Sequence, residues 1–314
     1  MAAIQSTPAG SQAMNLACNP ALNPISNGLW NGAREENEWS GTASLAYHLT
    51  DDIMAFGGYS RGYKAGGFNI DRQGFNVTPA TTSNAGLNTH QLEFEPEFTD
   101  AYELGVKSTV LGGSTTVNLT AFYQQIHDYQ LNAFNGFNFI TRNIPEVISS
   151  GAELEVAAHP TNALTLSGGV VYNDAHYDST VVFNPLDATP NTVHAGDPLS
   201  FAPEWVATGA VTYEAPLGGD LAALFYLDGR WNSDYRTQTL NRQPSGITDN
   251  KAFAIFNGRI GIGPRDQHWS VELWGQNLTD EYYFVGAFSP PLQNSFVVFP
   301  NEPRTYGVTL RARY

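Results

Sequence analysis

Residues 303–314 read PRTYGVTLRARY, and their alternation decides the fold. Tyr306, Val308, Leu310, Ala312 and Tyr314 fall on one side of an extended chain. Thr305, Gly307, Thr309, Arg311 and Arg313 fall on the other, because successive strand side chains point to opposite faces. One face is apolar and ends in an aromatic; the other carries two arginines. That combination suits a transmembrane β-barrel strand, apolar toward lipid and polar toward the lumen. It also suits the amphipathic edge of a soluble sheet. Recurrence along the chain separates the two.

The pattern recurs. Ala43, Leu45, Tyr47 and Leu49 oppose Thr42, Ser44, Ala46 and His48; Thr50, Asp51 and Asp52 turn tightly, and 53–65 returns. The same strand–turn–strand unit covers 101–130, turning at 111–114, and 151–177, turning at 159–162. It appears again over 206–235, turning at 216–220, and over 252–280, turning at 264–267. These turns hold the Gly, Asp, Asn or Pro that short hairpins require. Loops of roughly 15 to 30 residues, 66–96 among them, join the other strand ends, and compact soluble domains rarely carry several of that length. About eleven strands with alternating short and long connections match an outer-membrane barrel. Tyr47, Tyr63, Trp205, Tyr213, Tyr177, Tyr235 and Tyr314 fall near strand ends, where interfacial aromatic girdles belong. With the tight turns on the periplasmic side, the first and last strands both run inward. An odd count that starts outside cannot be a complete barrel, which starts and ends on the periplasmic side with an even number of strands.

Composition agrees. The chain has 314 residues, 30 glycines and a net charge of −15, with 15 Lys and Arg against 30 acids. So acidic a chain is unsuited to nucleic acid. Cys18 alone allows no internal disulfide and no cysteine metal cluster. No run of roughly 18 apolar residues predicts a membrane helix, which leaves a barrel open. Residues 1–20 show no basic start followed by an apolar core, so no signal peptide is expected there.

Four stretches carry a family resemblance. YSRGYKAGGFN (59–69) is similar to the strand entering an extracellular loop in TonB-dependent outer-membrane receptors. FTDAYELGVKS (98–108) with NLTAFYQQIHDYQ (118–130) resembles the strand pair that follows it. NLTDEYYF (277–284) and the terminal PRTYGVTLRARY resemble the closing segments. The resemblance implies an all-β fold, a transmembrane antiparallel barrel in which these strands form the C-terminal half of twenty-two. Residues 1–38 are then an extracellular loop remnant and 39–314 the barrel part, without the family's plug domain. It further implies a Gram-negative outer-membrane receptor, not an enzyme, set in outer-membrane lipid and binding no nucleic acid. Such a receptor imports a scarce bulky nutrient, above all an iron–siderophore complex, energised by the TonB–ExbB–ExbD system through the plug. A passive porin-like barrel and a soluble β-rich binding protein are the alternatives.

No catalytic constellation, cofactor or metal set emerges. The seven histidines are scattered without ligand spacing. Asp174, His176 and Asp178 gather at a strand's loop end, where a ferric-ligand contact and a solvated mouth are both open. The expected substrate-contacting residues are Arg61, Lys64, Asp174, His176, Asp234, Tyr235 and Arg236, all at strand ends that the topology turns outward.

Overall fold

The structure, a computed structural model, describes residues 32–69, 93–134, 139–182, 192–239, 246–266, 268–288 and 295–313. Residues 1–31 of the loop remnant, Cys18, the middle of the 66–96 loop and Tyr314 lie outside them.

In chain order the strands are β1 (Gly41–Thr50), β2 (Ile53–Lys64), β3 (Gly67–Phe68), β4 (Glu93–Phe94), β5 (Glu97–Val110) and β6 (Thr115–Phe134). Then come β7 (Phe139–Thr161), β8 (Leu164–Tyr177), β9 (Val181–Val182), β10 (Thr192–Val193), β11 (Trp205–Gly218) and β12 (Leu221–Asn232). The last are β13 (Phe253–Pro264), β14 (Trp269–Gln276), β15 (Phe284–Phe288), β16 (Val297–Pro300) and β17 (Thr305–Ala312). Eleven of them form one antiparallel meander in the order β1-β2-β5-β6-β7-β8-β11-β12-β13-β14-β17. The sheet is an open part of a barrel, with β1 and β17 at its edges. The short pairs β3–β4, β9–β10 and β15–β16 lie in the long loops, which are therefore not structureless.

Register makes the two faces explicit. Tyr47, Ala55, Val106, Leu119, Leu154, Val170, Ala207, Trp231 and Ala254 form one row across nine strands. One residue along, the row is His48, Met54, Lys107, Asn118, Glu155, Gly169, Thr208, Arg230 and Ile255. The first row is wholly apolar and the second mostly polar or charged. A one-residue slip would exchange them, so burial of the apolar face in lipid fixes register strongly.

Sequence boundaries shift at the loop ends. β5 begins at Glu97 rather than 101, and β7 begins at Phe139 rather than 151. Pro145 lacks the N–H a ladder needs, yet pairing continues on both sides of it. Tyr129 faces Ile144 and His127 faces Glu146, while Asp128 between them adopts φ 53°. At ~3.3 Å per residue, β6 and β7 reach about 65–75 Å. Crossing the hydrocarbon takes only ~9–11 residues, so both project well beyond it. There Leu131, Ile144, Val147, Tyr177 and Val193 form a buried core, with Ile126, Tyr129 and Leu199 packed against it. Tyr177 is therefore a core residue and not part of a girdle: it is 2% exposed and on the polar-face register. Tyr47, Tyr63, Trp205 and Tyr213 do lie exposed on the apolar face. At the other limits, β12 stops at Asn232, β14 at Gln276 and β17 at Ala312; after β14 the side chain of Asn277 takes over from the ladder.

Candidate functional site

Polar chemistry concentrates where the long loops leave the sheet. At the β2–β5 end, Arg61 Nη1 donates to Asp100 Oδ1 at 3.0 Å and Oδ2 at 2.7 Å. Tyr59 donates its hydroxyl to Asp100 Oδ1 at 2.6 Å. The Arg61 guanidinium carbon is 5.1 Å from the ring centroids of both Trp39 and Phe98. Lys64 Nζ, on the opposite face, is 3.9 Å from Glu97 Oε2 and 60% exposed. Before β1, Arg34 pairs with Glu36 and Glu95, and those carboxylates raise its pKa above the ordinary arginine value. Gln130 ties the region together, donating to the carbonyls of Ala65 and Glu95 at 2.8 and 3.0 Å.

Asp174 and His176 pair through Oδ1 and Nδ1 at 2.9 Å. Their register puts them with Tyr172 and Val170, on the apolar-face side. Arg61 shares that side: Arg61 faces Asp100 and Tyr59 faces Tyr102, which faces Tyr123. These three predicted residues therefore stand just past an aromatic row of the outer wall, not over the inner wall.

Asp234, Tyr235 and Arg236 follow β12 directly. Tyr235 and Asn250 exchange backbone bonds at 3.1 and 3.0 Å. Arg236 Nη1 donates to Asp197 Oδ1 at 2.9 Å, and Asp197 Oδ2 accepts the His194 N–H at 2.9 Å. Burial works to raise the Asp197 pKa, but the His194 N–H and the Arg236 guanidinium outweigh it and hold the carboxyl below its usual value. Burial raises the Tyr235 hydroxyl in turn. Asp234 stays exposed.

Three asparagines that the residue pattern did not single out as braces close this end. Asn250 donates to Phe284 O and accepts the Phe284 N–H, both at 2.8 Å. Asn277 donates to Glu281 O at 2.9 Å and Glu302 O at 3.2 Å, and accepts the Glu281 N–H at 2.8 Å. Asn301 accepts the Tyr283 N–H at 2.9 Å. Only Asn277 carried a signal, as the first residue of NLTDEYYF. Asp197, Phe201 and Phe253, which meet this network, carried none.

Deeper on the polar face, Glu272 is 7% exposed and lies between two arginines. Arg311 bonds it, and Arg259 Nη1 approaches within 3.7 Å. The Arg259 guanidinium stacks 4.8 Å above the Tyr226 ring. Ser270 Oγ donates to Glu272 Oε1 at 3.5 Å, and the arrangement holds and orients charge.

Residues 23–278 match the family model described as TonB dependent receptor-like, beta-barrel. The chain is 26% identical over 224 residues to the ferric-pyoverdine M114 receptor PbuA of Pseudomonas sp. (strain M114), covering 70% of this chain and 25% of that protein. Its fold is similar to the ferric yersiniabactin uptake receptor FyuA from Yersinia pestis, with a TM-score of 0.64 and 20% identity, over 86% of this chain and 36% of that one. It is also similar to the siderophore receptor PiuA from Acinetobacter baumannii, with a TM-score of 0.61 and 17% identity, over 86% and 35%. The chain thus spans about a quarter of the curated relative's length.

Proposed function

The chain belongs to the TonB-dependent receptor β-barrel family, and from that premise we propose that it is part of the wall and mouth of an outer-membrane receptor importing a ferric-siderophore complex, energised by TonB. One observation carries the reading: an open eleven-stranded meander with an apolar row beside a polar one across its width. Such a sheet is stable only where lipid covers one face and a wet lumen meets the other. The named uptake receptors among the similar proteins support iron complexes as cargo.

The tight turns would face the periplasm and the long loops the outside. On that footing, the register supports assigning Lys64 to the cargo path, and the contact of Tyr235 with polar-face Phe253 supports assigning Asp234, Tyr235 and Arg236 to it. It supports assigning Arg61, Asp174 and His176 to the outer rim of the wall, beside the outer leaflet. A plug would fill the lumen and couple it to TonB.

The test is growth on a ferric siderophore as sole iron source. Deleting the gene should abolish growth, and deleting TonB should abolish it equally. Growth that depends on the gene but persists without TonB would favour the passive barrel.

A further inference from the structure

Arg259 is positioned by its neighbours yet given no acceptor. Its guanidinium carbon stands 4.8 Å over the ring of Tyr226, its cross-strand partner on β12. Its ion-pair contact, from Nη1 to Glu272 Oε2, is 3.7 Å long, beyond hydrogen-bond reach. Nε is buried without an acceptor, and Arg259 donates no hydrogen bond among the described residues. A guanidinium carries five N–H donors in a fixed fork, and buried polar atoms are ordinarily satisfied. Glu272 is already occupied by Arg311 and Ser270. Gly261 makes room for it, since a Cβ there would meet Glu272 Cγ at 2.8 Å.

The wall around Arg259 carries a positive surplus. On the polar face of β12, β13, β14 and β17 the charged residues are Arg230, Arg259, Arg311, Asp228 and Glu272. Arg230 donates to Asn232 Oδ1 at 3.0 Å, and Asp228 accepts from Asn257 Nδ2 at 2.9 Å. Arg259 and Arg311 both stay more than a third exposed on the lumen side. The cluster lies toward the tight-turn end of the sheet: Arg311 faces Ser270, one residue into β14. That end is away from the long loops, where cargo would first bind.

A folded domain laid against this wall takes both guanidiniums out of water. Covering uncompensated charge is strongly unfavourable unless an opposite charge arrives with the cover. A carboxylate meets the guanidinium fork through two parallel N–H···O bonds, a match that neutral acceptors lack. Resting on the import reading above, in which a plug fills the lumen, we propose that Arg259 and Arg311 receive a carboxylate of that plug. The β13–β14–β17 wall is then one of its docking surfaces.

The experiment is zero-length carbodiimide coupling in the purified complete receptor. Arg259→Lys and Arg311→Lys each place an amine at the cluster, and coupling joins that amine to a carboxylate in contact with it. Mass spectrometry of the digest should find at least one of the two joined to an acidic residue of the plug, outside residues 1–314. Coupling only to Glu272 or to other acids within 1–314, or no coupling, overturns the proposal. Should the lysine variants fail to fold, Arg259→Gln reads the same contact. In planar bilayers at a fixed, moderate urea concentration it should raise the receptor's conductance several-fold, because a loosened plug opens the lumen; unchanged conductance overturns the proposal. Growth on a ferric siderophore without coupling sinks this contact alone. Coupling in a receptor that imports nothing leaves the contact standing and sinks the import reading.

Discussion

Trp274 donates its indole N–H to Thr309 Oγ1 at 3.1 Å, across the β14–β17 pair. Gly307 leaves the space its ring fills: a Cβ there would meet Trp274 Cζ2 at 2.5 Å. The last strand is thus keyed to its neighbour on the polar face, while Leu310 on the other face is 73% exposed.

That asymmetry sets the first prediction. Leu310→Arg puts a charge on the lipid face, which costs about 2–4 kcal/mol near mid-bilayer. Thr309→Arg loses one hydrogen bond, about 1 kcal/mol, and gains solvent in the lumen. In the complete receptor, Leu310→Arg should reduce refolding into lipid vesicles, followed by heat-modifiable mobility, more than Thr309→Arg does. The reverse order would mean that the face assignment is inverted.

Glu272 gives the second. Its removal leaves Arg259 and Arg311 facing each other without a counter-charge. Both arginines are more than a third exposed, 40% and 54%, so solvent screens much of the penalty. Glu272→Ala should cost about 1–3 kcal/mol. Arg311→Ala should cost less, because Arg259 remains beside the carboxylate. Urea midpoints of the reconstituted receptor decide it, and equal loss in both variants would argue against a shared carboxylate.

The faces and hairpins were legible because burial in lipid enforces a strict period of two. The pair Val106–Leu119 follows from counting out from the 111–114 turn, whereas Leu45–Gly57 does not, because the register shifts between His48 and Thr50. The first residues of β7 were not legible, because Pro145 breaks the local pattern while tertiary pairing carries the ladder through. The mouth was legible only as a location. Asp174 and His176 continue the parity of Tyr172, so their outer-wall side could have been counted from the alternation. The Asp197–Arg236 pair spans 39 positions, a distance over which no local periodicity speaks. The asparagine braces are equally silent, since an asparagine in a loop reads the same whether or not its amide holds three segments.

Asn277 tests those braces. It bonds Glu281 and Glu302 and adopts φ 49°, a conformation asparagine tolerates better than most residues. Asn277→Ala loses both the bonds and the backbone fit, and should destabilise this end by about 2–3 kcal/mol. Asn277→Gly keeps the backbone fit and should cost less. Protease should cut both variants between β14 and β17, the alanine form faster. Equal rates would mean that the side-chain bonds alone matter.

The last prediction concerns pH at Asp197. Its carboxyl is held below the ordinary value although burial opposes this, because the His194 N–H and Arg236 favour the charged form. A carboxyl with a depressed folded pKa contributes stability that is present above its unfolded pKa, about 3.9. That contribution is lost as pH falls through the lower folded value. The Asp197 side chain is 27% exposed, so solvent screens only part of it. The loop between β10 and β11 should therefore resist an acid-active protease from neutral pH down to about 4 and become cleavable below that. Asp197→Asn removes the titrating group. It should be cut faster near neutral pH, show no acid transition at this loop and match wild type once Asp197 is protonated. If wild type and Asp197→Asn lose protection at the same pH, the transition belongs to other carboxylates and the Asp197–Arg236 pair does not brace the loop.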